Sequence, residues 1–375
     1  MNEKNASILT NQLAKELKFD VCKIVDPSLP AIIGLRLKEF IELGFHGDMD
    51  WIEDTFERRK SPLNLWPEAK SAIILGLNYG PKYDPLEKNK YKSLGNISIY
   101  AQGKDYHDVI KGRLKEFSSK LISRMDKRYE TKVKVFVDTA PLMEKPLAQK
   151  SGMGWQGKHT NLVSRDFGSW LFLGVILVNK VLKYNVPELD HCGTCDKCIK
   201  ICPTDAFDGP NKLDARKCIS YLTIENKNTI PKIYRKAIGN KIFGCDDCLA
   251  ICPWNKYAKV SNEIKFTNSE YNYNFELLEL LKLSDKEFRL KFRGSPVKRI
   301  GRDRFIRNCC IAAGNSSNIN LVPDLVELSL YDESPLVRGA AIWAIKELAQ
   351  DEIILNTKNL SKNIEKNISV KREWN

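Results

Sequence analysis

The sequence predicts an α+β protein in three parts: an α/β domain over residues 1–185, a cysteine-rich module over 186–258 and a helical-repeat domain over 259–375. Three observations carry that expectation. Apolar strand-like runs alternate with amphipathic helical patterns through the first half of the chain. Eight cysteines then crowd between Cys192 and Cys252. Beyond them the pattern is helical to the end, and one stretch repeats: "RNCCIAAG" from Arg307 is matched by "RGAAIWAI" from Arg338.

The first part opens on an amphipathic helix, "MNEKNASILTNQLAKELKFD". It has no apolar h-region and no twin arginine, and no run in the chain approaches the ~18 apolar residues of a membrane span, so a cytoplasmic protein is expected. "VCKIVD" (21–26), "SAIILGLNY" (71–79), "KVKVFVD" (132–138) and "SWLFLGVILVN" (169–179) read as strands. "IIGLRLKEFIELG" (32–44) and "DYHDVIKGRLKEFSSKLISRM" (105–125) read as helices. In the last part, small and apolar positions coincide between the two repeat units. That resembles HEAT-type repeats, with a spacing shorter than their usual ~40–47 residues. Cys309 and Cys310 lie within the first unit and read as buried helix residues.

In a reducing compartment, eleven cysteines argue against a disulfide framework and for metal or redox chemistry. Cys192, Cys195, Cys198 and Cys202, with Pro203 behind them, match the bacterial run for a 4Fe–4S cluster, whose fourth cysteine ligates the other cluster. The second run, Cys245, Cys248 and Cys252 before Pro253, is one cysteine short, and Cys218 supplies it. Crossing the ligands gives Cys192, Cys195, Cys198 and Cys252 to one cluster, and Cys202, Cys218, Cys245 and Cys248 to the other. Soft thiolates suit iron–sulfur chemistry. Two structural zinc sites are the alternative, but zinc does not account for the long run or for both prolines. Two adjacent clusters make an electron relay.

"GMGWQGK" (152–158) satisfies two glycine-rich motifs and belongs to neither. The dinucleotide fingerprint needs a strand before it and a helix after it, the reverse of what is here. The phosphate loop needs Ser or Thr after its lysine, where this chain has His159. Lys158, His159 and Asn161 either grip another polar ligand or stand solvated on a tight glycine turn. Asp138, in "VDTAPLMEK", closes a strand just ahead of a helix expected to begin at Pro141. It reads equally as a helix cap or as a general acid at the strand end where open α/β sheets place ligands.

Formal net charge is +13, which favours a polyanionic partner or reflects a lysine-rich surface. Lys291, Arg293, Lys298, Arg299, Arg302, Arg304 and Arg307 crowd the entry to the repeats, and Arg338 recurs at the repeat position. Phosphates are one counter-surface for them; a solvated helix face is the other reading.

Taken together, "GKDYH" (103–107), "VDTAP" (137–141), "GWQGKHTN" (154–161), "CISYLTIE" (218–225) and "GCDDCLAICPWN" (244–255) closely resemble epoxyqueuosine reductases over nearly the whole chain. The resemblance implies a cobalamin-binding α/β domain joined to a ferredoxin-like two-cluster module, in a fold similar to reductive dehalogenases. It implies two-electron removal of the epoxide oxygen of epoxyqueuosine, giving queuosine and water. The substrate would be the wobble base of tRNAs with a GUN anticodon, the Tyr, His, Asn and Asp acceptors. One cluster would feed cobalt and the other would accept electrons from an external low-potential donor. Asp138 is implied as the proton donor, with burial expected to raise its pKa towards working pH. Arg59, Lys158, His159, Thr160, Asn161, Ser169, Ser220, Asp246 and Asp247 are implied as corrin contacts, and Asp138 also lies at the cofactor. The basic cluster would face the anticodon stem-loop, and the chain would act as a monomer.

Two departures from the family pattern stand out. Lys145 occupies a position where relatives often have Arg, losing bidentate geometry. Ser98 and Tyr100 lie where some relatives place a cysteine near the cofactor. The DxHxxG motif that supplies a histidine to cobalt is absent, which argues against a protein ligand below the corrin. A dehalogenase-like enzyme acting on a small molecule is the alternative function; the basic repeat domain and the missing export signal weigh against it. A ferredoxin-type electron carrier leaves Asp138 and the large first domain unexplained.

Overall fold

The computed structural model describes residues 3–125, 130–267 and 275–375. Four of the apolar runs form one sheet, β1 (Val21–Val25), β2 (Ser71–Asn78), β3 (Val133–Phe136) and β4 (Leu171–Val178), in the spatial order β1-β2-β4-β3. All three pairings are antiparallel. This corrects the expected α/β arrangement: the first domain is itself α+β. Periodicity reports that a strand exists, not the direction in which its neighbour runs.

Every residue of β2 is buried, because both faces of the sheet are covered. Ile73, Leu75 and Leu77 pack against α1 (Glu3–Glu16) and α2 (Tyr106–Arg124) through Leu9, Leu13, Ile110, Leu114 and Phe117. Ala72 and Ile74, alternating with them, face Leu142, Leu147 and Met153. Helix α2 begins where Asp105 accepts the His107 N–H, which fixes the chain entering it.

The cysteine module and the helical domain share one hydrophobic core, so no core boundary falls at residue 258. Ile219, Leu222 and Phe243 pack in it with Phe305, Cys309, Cys310 and Ala341. A small sheet ties this region together: Leu94–Ile97 runs parallel to Lys241–Phe243 and antiparallel to Phe275–Glu276. Helices α3 (Gly301–Gly314), α4 (Val322–Tyr331), α5 (Pro335–Leu348) and α6 (Asp351–Ile364) follow. Gly314 lets α3 approach α5, since a Cβ there would lie 2.6 Å from the Trp343 ring. Among the described residues no helix is long and apolar enough to cross a membrane.

Candidate functional site

Strand β3 delivers Asp138 to a turn in which its backbone is left-handed, with φ 47°. Such a conformation is uncommon outside Gly, Asn and Asp, and here neighbours hold it. The Asp138 N–H donates to Glu144 Oε1 at 2.6 Å. Its Oδ2 accepts from the Tyr106 hydroxyl at 2.5 Å and lies 3.1 Å from His107 Nε2. The carboxylate is not a helix cap: the following helix begins at Glu144, with Met143 at its N-cap position and no side-chain cap bond. The Asp138 side chain is 58% exposed. Nor is its pKa raised as expected. Burial works in that direction, but the hydrogen bonds from His107 and Tyr106 outweigh it and hold the carboxyl down at about 2.

The groups around it are displaced the other way. Burial and the Asp138 charge push Glu144 up to about 8. Burial disfavours charge on His107, but its bonds to Asp105 and Asp138 raise it to about 9. Its Nδ1 lies 2.7 Å from Asp105 Oδ1, and its ring stacks on Tyr106 at 4.0 Å between centroids. Tyr106 in turn stacks on Phe172 at 4.3 Å, and Phe172 on Tyr79 at 4.1 Å, a flat aromatic column behind the carboxylate. Arg59 lies close enough for Glu144 and Asp138 to stabilise its charge against burial, with its guanidinium 4.7 Å over Trp51.

The glycine-rich loop joins two short antiparallel strands, Trp155–Gln156 and Leu162–Val163, consistent with neither nucleotide motif. Lys145 crosses to it from the Asp138 side, donating to Thr160 O and Asn161 Oδ1, both at 3.1 Å. His159 is buried; its Nδ1 accepts from the Asn161 N–H and its Nε2 has no partner. Burial and the Lys145 charge lower its pKa to about 4, so it is a neutral ring whose Nε2 proton is unpaired. The buried Ser169 hydroxyl lies beside the Cys252 thiol, favours its charge and has no hydrogen-bond partner.

Other expected corrin contacts are engaged elsewhere. Lys158 donates to the carbonyls of Gly193 (2.7 Å) and Cys195 (2.9 Å), so its ammonium serves the cysteine loop. Asp246 accepts from Ser98 Oγ at 2.6 Å and the Ile99 N–H at 2.9 Å. Asp247 pairs with the buried Lys241 at 3.1 Å and accepts from Asn89. Ser220 sits against the Cys218 thiol, favouring its charge.

The cysteines fall into two groups. Burial raises Cys198 to about 11, helped by the neighbouring charges of Cys252, Cys192 and Cys195. Burial likewise raises Cys248, helped by the charges of Cys218 and Cys202 and, less, of Cys198 from the other group. Cys245 is raised by burial with Cys248 among its neighbours. Trp155 Nε1 donates to Cys192 Sγ and the Ala206 N–H to Cys202 Sγ, both at 3.4 Å, the kind of contact that steadies a ligating thiolate.

The basic cluster divides. Lys298 and Arg299 are exposed, as are Lys291 and Arg293, and Arg299 reaches Glu225 at 3.0 Å. Arg307 is 1% exposed and binds the carbonyls of Leu222, Asn226 and Asn228, so it is no surface contact for a nucleic acid. Arg304 reaches Ile224 O, Arg302 pairs with Asp332 at 2.6 Å, and Arg338 makes a two-point pair with Glu365. These four hold the fold. Sequence reading missed Tyr106, His107 and Glu144 as partners of Asp138, and Asp105 as the partner of His107; the "GKDYH" and "VDTAPLMEK" stretches held them without showing that they meet.

Comparison with known proteins follows the same lines. Residues 191–255 match the family described as 4Fe-4S double cluster binding domain, and residues 59–139 match the family described as Epoxyqueuosine reductase QueG, DUF1730. The chain is 37% identical over 348 residues to the epoxyqueuosine reductase of Xanthomonas campestris pv. campestris, covering 92% of this chain and 96% of that one. A crystal structure of epoxyqueuosine reductase with an epoxyqueuosine-modified tRNA-Tyr stem loop superposes with a TM-score of 0.89 at 29% identity, covering 99% of this chain and 98% of that one. The Bacillus subtilis epoxyqueuosine reductase, solved with its catalytic aspartate loop swung out of the active site, gives 0.88 at 28% identity over 99% of this chain and 98% of that one.

Proposed function

The chain belongs to the epoxyqueuosine reductase family, and from that premise we propose that it removes the epoxide oxygen of epoxyqueuosine at the tRNA wobble position, passing two electrons through cobalamin from two 4Fe–4S clusters. The observation that carries this reading is the Asp138 carboxylate, held half-exposed on a left-handed turn by Tyr106, His107 and Glu144. A catalytic aspartate loop is also what the Bacillus subtilis relative carries.

The two groups of thiols support the crossed ligand sets, Cys192, Cys195, Cys198 and Cys252 for one cluster and Cys202, Cys218, Cys245 and Cys248 for the other. The Cys248 charge is felt by Lys145, beside Asp138, and this supports reading the second set as the donor to the reaction. The first set then takes electrons from an external low-potential donor.

Cobalamin fits the residues present. The unpaired buried Nε2 of His159 supplies a donor for a corrin amide, and Arg59 offers a further polar contact beside Asp138. When bound, cobalamin supplies the two-electron chemistry at carbon that single-electron clusters do not. Asp138 faces the departing oxygen and moves a proton to it, while the aromatic column behind Tyr106 keeps the carboxylate aimed. The exposed Lys298 and Arg299, with Lys291 and Arg293, face the phosphates of a tRNA with a GUN anticodon, bound by a monomer. Helix pairs α3–α4 and α5–α6 are read as two HEAT-type repeats carrying that face.

The test is conversion of an epoxyqueuosine-bearing anticodon stem-loop by the anaerobically reconstituted protein, followed by nucleoside mass spectrometry. Queuosine is the expected product. A stem-loop left unchanged while the same preparation dehalogenates a small aromatic halide would replace this reading with the small-molecule one.

A further inference from the structure

Removing an epoxide oxygen as water consumes two electrons and two protons. One proton reaches the oxygen as the first carbon–oxygen bond breaks, the second as the resulting hydroxyl leaves. Asp138 is the group that meets the oxygen, yet its carboxyl is held at about 2 and carries no proton at neutral pH. A donor behind it has to load it.

Besides Lys145, whose ammonium is committed to Thr160 O and Asn161 Oδ1, and Arg59, whose guanidinium does not give up its proton, three neighbours hold protons at neutral pH, and geometry separates them. Glu144 turns Oε1 towards the Asp138 backbone N–H and accepts from it, and makes no hydrogen bond to the Asp138 carboxylate among those the structure shows. The Tyr106 phenol touches Oδ2, but burial beside that carboxylate raises its pKa far above the usual value, so it orients and does not yield its proton. His107 alone presents a ring nitrogen to Oδ2, at 3.1 Å, with its other nitrogen 2.7 Å from Asp105. Its ring is clamped in that orientation by stacking on Tyr106.

The solvent side is also present. Asp105 lines a hollow of about 410 Å³ open to water, with Lys104, Asp108, Lys265 and Arg293 around it. Asp105 and Asp138 address opposite nitrogens of the imidazole, so the hollow and the reacting oxygen lie at opposite ends of one ring. The segments forming the hollow are tied by backbone bonds from Lys104 N to Lys265 O and from Asp105 N to Gly294 O.

We propose that His107 is the proton store of the site, held as an imidazolium by Asp105 and discharging through Asp138 to the substrate oxygen. In the first transfer the Nε2 proton moves to Asp138 Oδ2 and on to the oxygen as its bond to carbon breaks, with electrons arriving from the clusters. His107 is left neutral and takes a further proton from solvent, which supplies the departure of the hydroxyl as water. Asp105 is a positioning residue: it fixes the ring and favours its charge. The charged and titratable groups facing this assembly are Asp105, Asp138, Tyr106, Glu144, Lys145, Arg59, Tyr100 and, through its field at Asp105, Arg299.

This inference rests on the reading given under the proposed function, and two kinds of measurement keep the two apart. The chain has four histidines, so a ¹⁵N-histidine spectrum of the cofactor-free protein is assignable by substitution. His107 should remain an imidazolium until about pH 9, and Asp105→Asn should bring its titration lower. In single turnover on the modified stem-loop, the wild type should lose rate as pH rises through that value. His107→Gln, which still donates a hydrogen bond to Asp138, should lower the rate by roughly 10²–10⁴ and abolish the alkaline limb, with stem-loop affinity unchanged. A His107 signal titrating near 6.5 overturns the proposal, as does a His107→Gln variant that keeps both rate and limb. So does a limb that disappears only in Glu144→Gln. A wild-type protein that does not convert the stem-loop removes the functional reading and the relay with it.

Discussion

Arg235 and Glu373 meet in a buried two-point ion pair, with bonds of 2.9 and 2.7 Å and side chains only 2% and 9% exposed. The pair joins the helix Lys232–Ile238, just before the second cysteine run, to the last helix of the chain, Ile368–Glu373. Removing one partner of such a pair leaves the other charge buried without compensation, which costs about 3–5 kcal/mol. Glu373→Ala should therefore lower the unfolding midpoint sharply, measured by calorimetry. Replacing both residues with apolar ones should recover much of the loss.

For Asp138 the informative change is to Asn, because Asn tolerates the left-handed backbone and nearly preserves volume. Cofactors and tRNA should bind as before while turnover falls by roughly 10²–10⁴. Asp138→Ala should add a stability loss that Asp138→Asn lacks. Near-normal turnover in the Asn variant would end the assignment.

Anaerobically purified protein should carry about eight irons, and Cys218→Ala should lose iron from one cluster selectively. With the crossed ligand sets, the cluster shared by Cys202, Cys245 and Cys248 is the one that suffers. Iron analysis with electron paramagnetic resonance on the reduced protein checks this; an unchanged iron count would overturn the crossing.

Much of the site was legible because its signals are local. The cysteine spacing needs no fold to interpret, and the glycine loop was rejected on its flanking patterns and on His159 standing where a phosphate loop needs Ser or Thr. The partners of Asp138 were hidden because His107 lies 31 residues away and comes near only when α2 packs on the sheet. The pKa of Asp138 was misjudged for the same reason: burial is readable from an apolar strand, whereas two converging donors are not. Arg307 was placed on a surface because a run of cations does not reveal which side of a helix turns inward. In α3 the inward side carries Arg304 and Arg307 onto carbonyls of the cysteine module.

That division predicts two different phenotypes within one basic cluster. Replacing Lys291, Lys298 and Arg299 with Ala should weaken tRNA binding and reduce the slope of log affinity against log salt by about one for each phosphate no longer neutralised. Thermal stability should barely change. Arg307→Ala should instead destabilise the fold, by leaving buried carbonyls unsatisfied. Filter binding across a salt series, beside calorimetry, distinguishes the two.

Stability should also fall as pH rises on this site's account. Glu144 is raised to about 8, so between its ordinary value and that pH the native state holds a proton the unfolded chain has released. Its stabilising contribution is complete below the unfolded value and lost on passing through about pH 8. Glu144→Gln should flatten that decline in the cofactor-free protein, followed by unfolding midpoints from pH 5 to 9.

Cys218 stands directly before the short helix Ile219–Ile224, and the carbonyls at that helix's far end are those that Arg304 and Arg307 bind. With Cys218 as a ligand in the proposed second set, iron would hold one end of this segment while two guanidiniums hold the other. A protein lacking that iron would lose the tether at Cys218, and the prediction is that cellular quality control then meets a chain opened along its middle, not a finished enzyme waiting for its cofactor. The abundance of the protein should therefore follow iron supply after translation, even where its messenger is constant.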